Sequence, residues 1–136
     1  MSSSAIHSSA AVVVAACAAS AGAHAALAPE HLDHQPRVGV AFTAVTFALL
    51  ALTAALIHKP TNPYVSHAAT LVLASLIGAY AMNVTSGIPW LTDGPEPADV
   101  VGLATKAVEA VGLVSSIQLN TTLGGHGSLT HKEARP

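Results

Sequence analysis

Apolar residues run almost unbroken through four segments, Ala5 to Ala28, Val38 to Ile57, Tyr64 to Ser86 and Val100 to Leu119, with short polar or proline-bearing breaks between them. A helix rises 1.5 Å per residue, so roughly 20 residues cross a hydrocarbon layer about 30 Å thick. Each segment meets that requirement. The pattern predicts an all-α chain, a four-helix transmembrane bundle of antiparallel up-down topology, forming one transmembrane domain over residues 1–123. Pro29 and Pro36 are expected to bracket the first loop, Pro60 and Pro63 the second, and Pro89, Pro95 and Pro97 the third, because proline stops or starts a helix. Loops this short make consecutive helices antiparallel neighbours. Residues 124–136 are polar and Gly-rich and read as a flexible cytoplasmic tail.

The first segment has a second reading as a secretory signal, since it ends in small residues from Ala23 to Ala28. Met1 to Ala11 holds no Lys or Arg, however, and a signal begins with a positive region. Length and this missing charge favour a spanning helix; the signal reading would leave three spans.

Composition narrows the class further. Of 136 residues, 51% are hydrophobic and only 9% charged, with a mean hydropathy of +0.55; soluble domains carry about a quarter of their residues as charges. A net charge of -2 with five Lys and Arg leaves no basic patch to neutralise phosphates, so nucleic acid is excluded as an expected partner. The lipid bilayer is the partner the pattern demands. Cys17 is the single cysteine, so no disulfide forms within the chain.

Charge asymmetry gives an orientation. Lys59 lies between spans 2 and 3, and Lys132 and Arg135 lie in the tail, whereas Glu30, Asp33, Arg37, Asp93, Glu96 and Asp99 fall in the other two loops. By the positive-inside rule both termini are expected in the cytoplasm, as a multi-pass protein of the plasma membrane. Tyr64 is expected to anchor the cytoplasmic start of span 3, and Tyr80 and Trp90 its outer end.

Small and polar residues within the spans predict the packing. Helices in lipid associate through close contact at small residues and through interhelical hydrogen bonds. Ala11, Ala15, Ala19 and Ala23 in span 1, Ala74 and Gly78 in span 3, and Gly112 and Ser116 in span 4 are the expected contact faces. Cys17, Ser20 and His24 share one face of span 1, which should point inward. Ser75 and Asn83 add polarity to span 3, and Thr105, Glu109, Gly112 and Ser116 form a stripe on span 4. Lys106 and Glu109 are an intramembrane charge pair three residues apart, each costing about 2.5–3.5 kcal/mol alone near mid-helix. Two readings compete for them: a lock that fixes span 4 against its neighbours, and a proton or cation relay centred on Glu109.

Eight histidines are many for this length. The topology sorts His24, His31 and His34 to the outer side and His7, His58, His67, His126 and His131 to the inner. A helical turn starting at Pro29 would set His31 and His34 on one face with Glu30 and Asp33 on the adjoining one, and His24 just below. Imidazole and carboxylate together suit Cu or Zn, making His24, Glu30, His31, Asp33 and His34 a candidate metal site. Its spacing follows no established zinc motif, and a solvated loop is the competing account. His58 and His67, at similar depth on neighbouring helices, could alternatively serve as paired haem ligands. No phosphate loop or nucleophilic triad is present, so no catalytic residue and no firm cofactor are assigned.

His24 with Pro29-Glu30-His31-Leu32, Gly39 and Phe42 opening span 2, Asn83 late in span 3, and Gly94 to Pro97 ahead of the acidic start of span 4 resemble a group of small four-span integral membrane proteins of unknown function common in actinobacteria. The resemblance covers about Gly22 to Leu119 and departs at Asp33, His34 and Gln35. It implies a four-span plasma-membrane protein and carries no activity with it. The leading expectation is a non-enzymatic accessory or small subunit of a membrane assembly, as a homo-oligomer or within a larger complex. The alternatives are an outer-side Cu or Zn protein and a proton-coupled carrier using Glu109.

Overall fold

In a computed structural model, residues 3–133 are described, with side chains from Ile6 to Gly124. The chain forms four helices, α1 (Ser3–His34), α2 (Pro36–His58), α3 (Pro63–Thr85) and α4 (Val100–Glu133), and no strand among the described residues. All four are long and apolar enough to cross a membrane: Ile6–His34, Pro36–His58, Pro63–Thr85 and Val100–Gly124. They pack as an antiparallel bundle.

Helix ends follow local chemistry more closely than the proline pattern alone predicts. Pro36 and Pro63 sit at the first positions of α2 and α3, where a missing N–H costs nothing. Asn62 caps α3 by accepting from Tyr64 N at 2.9 Å. Asp99 does the same for α4, accepting from Gly102 N at 2.8 Å. Pro29 differs from expectation. It lies inside α1, so the first loop contracts to Gln35, whose N–H still reaches His31 O at 2.7 Å. Packing along α1 outweighs the one backbone hydrogen bond that Pro29 removes. The corner is tight enough that a Cβ at Gly39 would lie 2.5 Å from Leu32 N, so α2 needs glycine there. At the far end, α4 stays helical to Glu133, past the expected end of span 4 at Leu119 and through most of the segment expected to form a tail. The side chains of His126, His131, Lys132 and Arg135 lie outside the described residues.

Neighbour relations inside the bundle are unequal. α1 is packed extensively against α2 and α4, and α4 against α3, while α2 and α3 touch only slightly despite their short connection. α1 and α4 form the spine. The core gathers in the half of the bundle nearest the α2–α3 turn: Val13, Cys17 and Ala21 of α1 with Leu49 and Leu56 of α2 and Ala69 and Leu73 of α3.

The inward face of α1 is the predicted polar one, with Cys17, Ser20 and His24 all buried. Of the expected alanine stripe only Ala23 is half-buried, on the cavity wall. Ala11, Ala15 and Ala19 face outward, as do Ala74, Ser75 and Gly78 of α3. A helix buries one arc, and once Ser20 and His24 take the arc facing α4, residues nine and five positions before them cannot share it. On α4 the predicted stripe does face inward. Glu109 and Ser116 are buried, and a Cβ on Gly112 would fall 2.6 Å from that of Ala16.

Candidate functional site: a buried charge pair beneath a membrane cavity

Span 4 has to bury a carboxylate, and the structure surrounds it with donors. Glu109 is fully buried; its Oε1 accepts from Ser20 Oγ of α1 at 2.6 Å, and its Oε2 pairs with Lys106 Nζ at 2.5 Å. Ionised carboxylate needs such charge-assisted bonds to leave water. Lys106 also lies over the ring of Tyr80 of α3, 5.7 Å from its centroid. Tyr80 is therefore turned into the bundle rather than serving as the outer-surface anchor expected of it.

Ser20 extends the group to His24. The imidazole Nδ1 lies 2.8 Å from Ser20 O and 3.4 Å from its Oγ. A carbonyl oxygen only accepts, so Nδ1 carries the hydrogen and, in the neutral ring, Nε2 is an acceptor. One helical repeat on, His31 Nδ1 likewise meets Leu27 O at 2.9 Å. Both rings pack on Phe42 of α2, with centroids 5.2 Å and 4.7 Å away.

Where α2 and α3 diverge, these residues line a cavity of about 370 Å³ in the half of the bundle nearest the α3–α4 loop. Phe42 stands on the α2 wall, Tyr80 and Asn83 on the α3 wall, His24 and His31 on the α1 wall, and Lys106 on the α4 wall. The lining is mainly apolar. The loop closes it from above through Glu96, which accepts from Gln35 Nε2 at 2.9 Å and from Asn83 Nδ2 at 3.1 Å. Arg37 adds a bond to Trp90 O at 2.9 Å, so the two connections on this side are joined.

The candidate metal residues are not brought together. Among the described residues, no group of three or more His, Cys, Asp and Glu side chains is placed to hold a metal ion. Because α1 runs unbroken to His34, His24 and His31 fall on the cavity side, whereas Glu30, Asp33 and His34 are exposed, and His34 Nδ1 is turned back to Glu30 O at 3.0 Å. The carboxylates occupy the far side of the same helix. His58 and His67, the alternative haem pair, are both exposed, with His67 Nδ1 on Pro63 O at 2.6 Å.

Residues that the sequence pattern left unnoticed complete the interior. Asn120 Nδ2 donates to Thr70 Oγ1 at 2.9 Å, and Thr70 in turn reaches Ser116 Oγ at 2.9 Å, tying α4 to α3 near the opposite end. Phe42 and Gln35, which the sequence marks only through the family resemblance, take their partners from another helix and a distant loop.

The class defined by this architecture is a multi-pass membrane protein built as a four-helix bundle. No family model matches the chain, and neither the characterised proteins nor the solved structures compared with it give a match.

Proposed function

We propose that the chain is a non-enzymatic accessory or small-subunit component of a plasma-membrane assembly, with both termini in the cytoplasm. The observation that carries this reading is the outward stripe of Ala11, Ala15 and Ala19 on α1. Small residues at four-residue spacing let a second helix approach closely in lipid, and this stripe is not used inside the protomer. Satisfaction of Glu109 at both oxygens supports the lock reading of the charge pair over a relay, since Ser20 and Lys106 hold it in place. Lys59, Lys132 and Arg135 on one side, against Arg37 on the other, support the orientation.

Crosslinking in native membranes tests the proposal. The expected result is a species larger than one chain that is lost in Ala15→Leu, with helix content unchanged because that side chain points away from the bundle. Recovery of lone protomers from wild-type membranes would overturn the reading.

A further inference from the structure

The cavity between α2 and α3 has a donor and acceptor pattern that selects for a ligand, apart from whatever the chain assembles with. We propose that it is a binding site for a neutral, membrane-soluble molecule with a hydroxylated aromatic head and an aliphatic tail, a hydroquinone-type amphiphile.

Size sets the first limit. About 370 Å³ lies at the lower end of the roughly 300–1,000 Å³ of small-molecule sites; it takes a single ring and the first carbons of a tail, and excludes the bulk of a phospholipid. Charge sets the second. Lys106 is the cation of the lining, and it is neutralised by Glu109 directly behind it, while Glu96 and Asp99 line the loop side. An anionic head gains no unpaired cation there, so the head is neutral.

Hydrogen bonding sets the third. With Nδ1 of His24 and of His31 committed to backbone oxygens, the Nε2 of either ring, when unprotonated, offers a lone pair, which calls for a hydroxyl donor. Lys106 uses one of its N–H groups on Glu109, and its others can donate to an oxygen of the ligand. A head with hydroxyl groups serves both sides at once, whereas a quinone offers only acceptors.

Shape sets the fourth. Phe42, with the two imidazoles beside it, and Tyr80 on the α3 wall put aromatic side chains on two walls of the lining, which favours a flat ring as the head. On this proposal the tail leaves for lipid between α2 and α3, which touch only slightly, so binding needs no passage through water.

The test uses the full chain in phosphatidylcholine nanodiscs, titrated with 2-decyl-1,4-hydroquinone, the matched quinone, decanol and decanoate, and bound compound is measured after equilibrium dialysis. Saturable binding of one hydroquinone per chain is expected, about tenfold tighter than the quinone, as the loss of one or two hydrogen bonds implies. His24→Phe and Phe42→Ala should each weaken it about tenfold or more, while Tyr64→Phe, exposed at the opposite end, leaves it unchanged. Where His24→Phe loses helix content, His31→Leu at the half-buried cavity wall gives the same reading. Non-saturable partitioning, decanol or decanoate binding as tightly as the hydroquinone, or indifference to the cavity variants would overturn the assignment. Organic extracts of natively purified protein separate the sources: a prenylated ring lipid that co-purifies with wild type and is lost with His24→Phe is a resident membrane compound, and an empty extract with binding intact marks a phenolic amphiphile supplied from outside.

Discussion

Glu109 shows how one residue dictates its surroundings. A lone carboxylate near the middle of a span costs about 2.5–3.5 kcal/mol, and it is held here by a lysine one turn before it and a serine on another helix. Removing one member of such a pair strands the other and costs about 3–5 kcal/mol, whereas replacing both by neutral groups of similar size is close to neutral. Lys106→Ala should therefore lower the unfolding temperature in detergent markedly, and Lys106→Met combined with Glu109→Gln should regain most of it. If the double variant is as unstable as the single one, the pair does more than lock the helix. The Ser20 bond explains why the lock works between helices: it ties the register of α4 to that of α1.

At the scale of elements, α1 and α4 owe their closeness to the absence of side-chain atoms at one point. The Cβ position of Gly112 lies 2.6 Å from Ala16 Cβ, nearer than two carbons can rest, so Gly112→Ala forces the spine apart. A loss of about 1–3 kcal/mol is expected from overpacking of this kind, measured by thermal or denaturant unfolding in micelles. Gly22→Ala is the matched control, since nothing lies within 4 Å of its Cβ position, and it should be neutral or slightly stabilising through helix propensity. Equal behaviour of the two variants would show that the crossing is looser than this geometry. The same elements explain the cavity. α2 and α3 are each packed on the spine and touch one another only slightly, and beyond the core of Leu49, Leu56, Ala69 and Leu73 the space among the four helices is left as the cavity.

For the whole molecule, the bundle is packed at one end and hollow at the other. The hollow end is covered by the α3–α4 loop, and Glu96 joins that loop to the α1–α2 corner. The sidedness proposed from charge can be read with cysteine chemistry because Cys17 is buried in the bundle. In a Cys17→Ala background, Asp93→Cys should react with an impermeant maleimide on intact cells, and Lys59→Cys only after permeabilisation. The reverse pattern would invert the orientation and place the hollow end on the cytoplasmic side.

How much of this was legible beforehand depended on whether the information was local. Span number, the bounds of α2 and α3 and the inward face of Cys17, Ser20 and His24 follow from periodicity and length, which are properties of contiguous residues. The Lys106–Glu109 pair was legible for the same reason, being one helical turn apart. The alanine stripe was misassigned because small size marks a surface capable of close packing without saying whether the partner lies in the same chain. The metal site was expected from five ligating residues close in sequence, yet continuation of α1 through Pro29 spread them around one helix. What the sequence by itself determined was therefore the set of four membrane-length helices and the need to neutralise a buried charge, because both are dictated by hydrocarbon thickness and desolvation. Only the tertiary structure decided that Ser20 meets Glu109, that Phe42 sits between His24 and His31, and that α2 and α3 part to leave a cavity, since each depends on how helices distant in sequence lean on one another.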